Sequence, residues 1–167
     1  MIRVRPTRGT DIGRLEAVER SAATLFRTLP DLAWIADDHV AGPDTHRTAV
    51  AQGLSWVAVD AEDQPVGFLI AAEADVDLHI LELSAADHQG RGGGRALMAA
   101  ARQEAGVRAK QALTLTTFST VPWNAPFYAR LGYAALTFAE TPAYLRETLA
   151  AEAAHGLTDR VAMRLTL

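Results

Sequence analysis

A run of glycines and arginines at residues 88–95, HQGRGGGR, is the feature of the sequence that most clearly indicates chemistry. It leads directly into apolar residues spaced as in a helix. Glycine at a helix start costs about 0.5–1 kcal/mol relative to alanine, so the run indicates that another group approaches the backbone closely. An anion fits best, because a helix N-terminus offers unpaired N–H groups and a partial positive charge. Arg91 and Arg95 would add charge for phosphate groups.

Two common nucleotide motifs do not match this run. A P-loop has the pattern G-x-x-x-x-G-K-[ST]; counted from Gly90, Arg95 stands where the second glycine would lie, and no Lys-Ser/Thr pair follows. A dinucleotide-binding G-x-G-x-x-G requires a third glycine. That position falls on Arg95 when counted from Gly90 and on Leu97 when counted from Gly92. The residues therefore argue against both motifs.

The third pattern is Q/R-x-x-G-x-G/A, which Gln89, Gly92 and Gly94 match. In this context HQGRGGGRALM resembles the acetyl-CoA loop of the Gcn5-related N-acetyltransferases (GNAT family), and the resemblance extends from RVRPT near the start to RVAMRLTL at the end. It implies acetyl-CoA as co-substrate and no metal. It places the diphosphate on the backbone N–H groups of the loop, where a Cβ would obstruct it. The loop residues so implied are Gln89, Gly90, Arg91, Gly92, Gly93, Gly94 and Arg95, although Gly93 stands where the family normally has an apolar residue.

A second stretch, VPWNAPFYARLGY (121–133), resembles the family pattern N-x-x-x-Y-x-x-x-G-[FY] through Asn124, Tyr128, Gly132 and Tyr133. The resemblance implies that Asn124 contacts the pantetheine or diphosphate arm. It implies that Tyr128 is the general acid that protonates the departing thiolate. Phe127 is expected to be a packing residue or a pocket wall. The residues alone leave a purely structural role for Tyr128 open.

The strand that precedes the loop, VDLHILELS (76–84), carries the candidates for the remaining roles. The resemblance implies a strand bulge at Leu83, Ser84 and Ala85, where a backbone N–H would stabilise the oxyanion and the pantetheine amides would pair with the strand. Glu82 is the first candidate for general base and His79 the second, and Glu73 could reach from the neighbouring strand. The family often has V-x-P-x-x-Q here, whereas this sequence has Ser84 and Ala86. The register of Glu82 is therefore open by one residue, and such a slip would turn its side chain to the other face.

Composition limits the function classes. The 167 residues, 49% hydrophobic and 22% charged, predict one soluble domain over residues 1–167. The net charge of −4 argues against a nucleic-acid partner. The absence of cysteine excludes disulfides and thiolate chemistry and fits a reducing compartment, and the five histidines lack metal-ligand spacing. With neither a signal-like apolar region nor a run of about 18 apolar residues, we expect a cytoplasmic protein without a membrane partner.

The elements that must position these residues follow from hydrophobic periodicity. The patterns predict an α+β fold with a mixed, mostly antiparallel central sheet of about seven strands flanked by helices. Residues 26–44 are expected to be a loop or a short helical region. The predicted strands are 2–5, 54–60, 65–72, 76–84, 112–118, 133–138 and 160–167. The predicted helices are 12–21 with Thr10 as N-cap, 44–52, 92–109, 125–131 and 142–154.

The acceptor is the least determined part of the prediction. The resemblance implies a primary amine on a small molecule or a peptide, bound by residues 20–53 and the loop before the last strand. Asp31, Asp37 and Asp38 could attract a cationic amine, although solvated loop carboxylates are the commoner case. The alternative to an enzyme is a non-catalytic acyl-CoA-binding or sensor module. A homodimer and a monomer are both compatible with the sequence.

Overall fold

The computed structural model describes residues 1–85 and 92–167, and seven strands and five α-helices lie within them. The strands are β1 Arg3–Pro6, β2 Ser55–Val59, β3 Pro65–Ala74, β4 Asp77–Ala85, β5 Ala112–Phe118, β6 Ala134–Ala135 and β7 Arg160–Thr166. The helices are α1 Ile12–Ala23, α2 Pro43–Ala51, α3 Gly93–Val107, α4 Ala125–Arg130 and α5 Ala143–Ala154. Short 3-10 helices cover Gly9–Asp11, Thr24–Thr28 and Pro30–Asp37.

The strands form one sheet in the order β1-β2-β3-β4-β5-β7-β6. The pairs β1–β2, β2–β3, β5–β7 and β6–β7 are antiparallel, whereas β4 and β5 are parallel. The parallel register places Leu78 opposite Leu113 and His79 opposite Thr114. The predicted fold class, a mixed and mostly antiparallel sheet of about seven strands flanked by helices, is confirmed.

The chain divides into two compact units, and the first contains residues 1–72 and 81–104. Its core is built from alternate apolar positions of helices and strands: Leu15, Val18, Ala49, Val57, Val59, Phe68 and Ile70. All five residues of β2 are buried. A strand that is buried on both faces excludes unpaired charges, which explains why SWVAV shows no alternation with charged residues. Its one polar residue, Ser55, donates its hydroxyl hydrogen to Thr7 Oγ1 at 2.7 Å.

The second unit contains residues 73–80 and 105–167. Its centre is the β5–β7 ladder, which runs without a break from Ala112↔Thr166 to Phe118↔Arg160. Six of the seven residues of β5 are buried, as its continuous β-branched sequence predicted. Leu145 of α5, which is fully buried, belongs to the same unit.

Two local predictions are wrong. The strand expected over residues 133–138 is reduced to Ala134–Ala135, because the Glu140 carboxylate accepts hydrogen bonds from the Thr137 N–H and hydroxyl, each 2.8 Å long, and turns the chain away. Thr10 does not cap α1. It lies inside the 3-10 helix Gly9–Asp11, and the Asp11 carboxylate accepts the Arg8 N–H at 2.7 Å.

Candidate active site

Strand β4 becomes more exposed to solvent in its C-terminal half. Its first four residues are buried, whereas Leu81 is 47% exposed and the next two residues are half-buried. An exposed leucine on an internal strand marks a surface that the described chain does not cover. The strand then continues through the predicted oxyanion and pantetheine segment, Leu83, Ser84 and Ala85.

Glu82 and Ser84 lie on the same face of β4. The Ser84 hydroxyl donates a 3.0 Å hydrogen bond to Oε1 of Glu82, a contact that two residues on one face of a strand can make. Ser84 is 4% exposed, so the bond lies at the edge of the interior.

Gly67 of β3 explains how the end of β4 is held, and sequence reasoning missed it. A Cβ at Gly67 would lie 3.0 Å from the Ser84 carbonyl oxygen and 3.3 Å from the Ala85 Cα. These are backbone atoms that cannot move aside cheaply. The signal was present in PVGFLIAA, because a glycine inside an apolar strand often marks a close backbone approach.

At the start of α3, glycine residues leave the backbone accessible, as the sequence predicts. Gly92 has φ +79°, a left-handed conformation that favours glycine, and its carbonyl accepts the Ala96 N–H at 3.0 Å. Gly93 is buried, Gly94 is half-buried and Arg95 is exposed. The first turn of α3 therefore presents backbone N–H groups without intrahelical partners. The predicted loop residues Gln89, Gly90 and Arg91 lie outside the described residues.

The second motif lies in the other compact unit, at α4. The Asn124 carbonyl accepts the N–H groups of Phe127 and Tyr128 at 2.8 and 3.1 Å, which begins the helix. The Asn124 side-chain Oδ1 is buried and has no hydrogen-bond partner among the described residues. Tyr128 is 8% exposed, and its ring packs edge-on against Phe127 and Tyr133 at centroid distances of 5.1 and 6.0 Å.

His79 and Glu73, the other two candidate bases, belong to this second unit as well. His79 is 7% exposed, and its Nδ1 lies 3.0 Å from the Thr114 hydroxyl. Burial lowers the pKa of His79, although the carboxylates of Glu152 and Asp77 act in the opposite direction. Glu73 is ion-paired with Arg108, whose hydrogen bond lowers the pKa of Glu73 and makes it a poor proton acceptor.

The structure thus distributes the predicted site residues over both units. The first unit contains Glu82, Leu83, Ser84, Ala85, Gly92, Gly93, Gly94 and Arg95, and the second contains His79, Asn124, Phe127 and Tyr128. Those of the first unit lie at the end of β4 and the start of α3, and Asn124, Phe127 and Tyr128 lie at α4, whereas His79 lies inside β4. A strand end or a helix start leaves backbone groups available to a ligand.

The comparison with family models decides which class of protein this is. Residues 51–135, slightly more than half of the 167, match the acetyltransferase (GNAT) domain. The chain belongs to the GNAT acetyltransferase family. The matched range covers β4, the glycine-rich run and α4, and so contains both motifs. The prediction of an acetyl-CoA-dependent N-acetyltransferase, an acyltransferase enzyme, is confirmed for the family to which the chain belongs.

Solved structures share this fold at low sequence identity. The PaiA N-acetyltransferase from Thermoplasma acidophilum, crystallised with coenzyme A, is 14% identical with a TM-score of 0.72, and the alignment covers 100% of this chain and 99% of that one. Rv2747 from Mycobacterium tuberculosis, in complex with CoA, is 18% identical with a TM-score of 0.73 and 99% coverage of both chains. The ribosomal-protein-S18-alanine N-acetyltransferase from Escherichia coli is 17% identical with a TM-score of 0.67, covering 99% and 94%.

The length and hydropathy of the helices bear on whether the chain can cross a membrane. In residues 1–85 and 92–167, no helix combines the length and the apolar character that crossing a bilayer requires.

Proposed function

We propose that this protein transfers the acetyl group of acetyl-CoA to a primary amine by direct attack, with both substrates bound together. The observation that carries the proposal is the β4-to-α3 segment within the family match. The strand ends at Ala85, and the helix begins on a left-handed Gly92 followed by the buried Gly93. This arrangement suits a diphosphate cradled by backbone N–H groups. Crystals of PaiA and Rv2747 contained CoA, which supports the same donor here.

We assign the parts of the donor to separate segments of the chain. We assign the pantetheine amides to the backbone of Leu83, Ser84 and Ala85, the segment that Gly67 allows to lie close to β3. The diphosphate would bind the first turn of α3, with charge supplied by the exposed Arg95. The Oδ1 of Asn124, which is buried and has no hydrogen-bond partner within residues 1–85 and 92–167, is a ready acceptor for an amide N–H of the donor.

The chemistry removes two protons from the acceptor nitrogen and adds one to the sulfur. The acceptor arrives as an ammonium and must lose a proton before its nitrogen can attack the thioester carbonyl. A C–N bond then forms, the nitrogen loses its second proton to water and the C–S bond breaks, while a backbone N–H of residues 83–85 would stabilise the oxyanion. Tyr128 would protonate the CoA thiolate. Glu82 and His79 are the proposed groups for taking the proton from the amine, directly or through water.

The acceptor is a primary amine on a small molecule or a peptide. The Escherichia coli neighbour is an alanine N-acetyltransferase of a ribosomal protein, and the NatC complex, another neighbour, was crystallised with a Gag peptide. Of the loop carboxylates considered for amine recognition, Asp37 is already paired with Arg27 at 3.1 Å. That pairing weakens the case for Asp37 as the group that attracts a cationic acceptor.

We also propose that residues 1–167 act as one acetyltransferase domain and that the enzyme works in the cytoplasm. The family match overlaps both compact units, which supports a single functional domain. The absence of cysteine fits a reducing compartment.

Donor binding can be tested by thermal unfolding with acetyl-CoA, CoA, ATP and NADH, each in large excess. A ligand at 100 times its Kd stabilises the folded state by about 2.7 kcal/mol. We expect stabilisation by acetyl-CoA and CoA but not by ATP or NADH. Stabilisation by ATP or NADH alone would overturn the assignment of the donor.

Catalysis can be tested with Tyr128→Phe, using Tyr133→Phe as the matched control. Both side chains are buried tyrosines of one unit, and the family pattern accepts phenylalanine at the second position. We expect Tyr128→Phe to lower kcat by about 10²-fold or more while CoA affinity stays within about twofold, because a general acid contributes on that scale. Tyr133→Phe should retain activity. CoA binding with no acetyl transfer to any amine of a broad panel would favour the acyl-CoA sensor instead.

A further inference from the structure

A chain of buried polar groups connects His79 to a charged pair in the second unit. His79 Nδ1 lies 3.0 Å from the Thr114 Oγ1, and that oxygen lies 2.7 Å from the Tyr144 hydroxyl. The Tyr144 hydroxyl donates to Oδ2 of Asp77 at 3.0 Å, and Oδ1 of Asp77 is paired with Arg164 at 3.2 Å. The chain takes residues from β4, β5, α5 and β7. We call these four partners, Thr114, Tyr144, Asp77 and Arg164, the relay.

The number of hydrogens fixes the direction of each bond. Asp77, paired with a guanidinium, is a carboxylate and can only accept. Burial raises the pKa of Tyr144 to about 12, so its single hydrogen is retained and donated to Asp77. If that hydrogen turned to Thr114 instead, the Tyr144 and Asp77 oxygens would face each other at 3.0 Å with no hydrogen between them.

The donor and acceptor in the hydrogen bonds of Thr114 and His79 follow from that of Tyr144. With its hydrogen committed to Asp77, the Tyr144 oxygen must accept from the Thr114 hydroxyl. Thr114 has no second hydrogen, so its oxygen must accept from His79. His79 therefore carries its proton on Nδ1, and the lone pair lies on Nε2. The His79 ring also packs edge-on against Tyr144 at a centroid distance of 5.8 Å, which limits its rotation.

We propose that Thr114, Tyr144 and Asp77 are positioning residues that hold His79 as the Nδ1–H tautomer, so that its Nε2 accepts the proton from the acceptor amine. This inference rests on the proposed acetyl transfer. The ammonium gives one proton to Nε2 and becomes a neutral amine, while His79 becomes an imidazolium. After the C–N bond has formed, the nitrogen loses its second proton to water and the C–S bond breaks. Tyr128 protonates the thiolate and regains a proton from water, and the imidazolium returns its proton to water.

The charged surroundings suit this role. Asp77 on β4 and Glu152 on α5 favour the imidazolium, whereas burial opposes it and lowers the pKa of His79 overall. The facing arginines of β7 are already engaged, Arg164 with Asp77 and Arg160 with Glu152. A histidine that is neutral near pH 7 and has nearby carboxylates can accept a proton and release it again. Glu82, by contrast, already accepts the Ser84 hydroxyl.

The tautomer can be measured without any activity. In full-length protein labelled with ¹⁵N-histidine, NMR distinguishes protonated from unprotonated ring nitrogens, and the His79→Gln variant identifies the His79 signals. We expect a protonated Nδ1 and an unprotonated Nε2 at pH 7.5. Protonation on Nε2 alone, or on both nitrogens, would overturn the proposal.

Kinetics test the consequence. We expect His79→Gln to lower kcat by about 10²-fold or more, and Thr114→Val and Tyr144→Phe each by about 10-fold, with the KM for acetyl-CoA unchanged. The acidic limb of the pH–rate profile should move in both relay variants, and Thr114→Ser should restore it. Thr117→Val is the matched control, because Thr117 is a buried threonine of the same strand that lies outside the relay.

Two failures are distinguishable. A wild-type enzyme that neither binds acetyl-CoA nor acetylates any amine would overturn the proposed function. An active wild-type enzyme whose Thr114→Val and Tyr144→Phe variants keep its kcat and pH profile would overturn the relay alone.

Discussion

Two buried arginine–aspartate pairs, one in each unit, serve different purposes. Arg5 and Asp11 meet at 2.8 Å with side chains 11% and 8% exposed, and Arg164 and Asp77 meet at 3.2 Å with side chains 29% and 4% exposed. Arg5 has a second carboxylate, Asp63, at 3.0 Å, so both of its neighbours are charged. The contacts around Asp77 instead continue through neutral hydroxyl groups to a histidine.

The difference shows what each kind of pair can do. In the first, Asp11 also accepts the Arg8 N–H just before α1, so the charges join β1 to the start of a helix. Each of these hydrogen bonds involves a charged side chain, and together they hold β1 and the residues just before α1 in one arrangement. In the second, the hydroxyl groups of Tyr144 and Thr114 each have one hydrogen to donate. The donor direction of each hydrogen bond is therefore fixed, from the Asp77 carboxylate to the ring nitrogen of His79. We therefore expect the first pair to act on stability and the second chiefly on the state of His79.

The largest expected effect comes from breaking the first pair. Arg5→Ala leaves Asp11 buried without its cation, and the loss of one partner from a buried pair costs about 3–5 kcal/mol. Urea unfolding at pH 7 measures this loss. Arg3→Ala is the control, because Arg3 also binds Asp63 but is 67% exposed, so its removal should cost no more than about 1 kcal/mol. Equal losses for the two variants would contradict the assignment.

A smaller effect is expected from the second pair. Asp77→Asn should lower the free energy of unfolding by only about 1–2 kcal/mol, because the amide oxygen still accepts the Tyr144 hydroxyl and Arg164 keeps contact with water. The same urea titration measures it. Asp75→Asn, at an exposed turn position with φ +51° that asparagine tolerates, should change stability by less than about 0.5 kcal/mol. A loss for Asp77→Asn as large as that for Arg5→Ala would remove the distinction between the pairs.

Much of the fold could be predicted because its signals are local. Strand β5 was expected at residues 112–118 and lies there, since its apolar and β-branched run has a single interpretation. Helix α5 was expected at residues 142–154 and begins one residue later, because Pro142 occupies the N-cap position. The shortened β6 could not be predicted, because it depends on a carboxylate three residues away that captures the Thr137 N–H.

The relay could not be predicted for a different reason. Asp77, Thr114, Tyr144 and Arg164 are far apart in the sequence, and they meet only because β4 pairs in parallel with β5 in one register, with His79 opposite Thr114. A shift by one residue would place Leu113 there instead and end the polar chain. Long-range register of this kind depends on the packing of several elements, whereas the motif residues Asn124 and Tyr128 follow from one short segment.

Acid titration distinguishes the two regions by pH range. Burial would raise the pKa of Asp11, but hydrogen bonds from Arg5 and Arg8 lower it below its usual value, and the Arg5 hydrogen bond lowers the pKa of Asp63 to about 2. For groups with a depressed pKa, the stabilisation is complete above the unfolded value near 3.8 and is lost as the pH falls through the folded value. The ion pairs of Arg5 with Asp11 and Asp63 should therefore lose their contribution to the free energy of unfolding below about pH 4.

Histidines respond at higher pH. Burial lowers the pKa of both His79 and His46. The His46 ring packs edge-on against Phe68, and neither of its nitrogens has a hydrogen-bond partner within the described residues. The unfolded chain binds protons near pH 6.5 that the folded chain does not, so stability should fall as the pH drops from 7 to 5. Each histidine contributes at most about 1.4 kcal/mol per pH unit.

Urea titrations at pH 7 and pH 5 measure this slope in the wild type, His46→Leu and His79→Gln. Each substitution should flatten the slope, whatever it does to stability at pH 7, because it removes one proton-binding site from the unfolded chain. If His79→Gln kept the wild-type slope, the folded and unfolded chains would protonate His79 equally. The neutral ring that the relay requires would then be absent at pH 5.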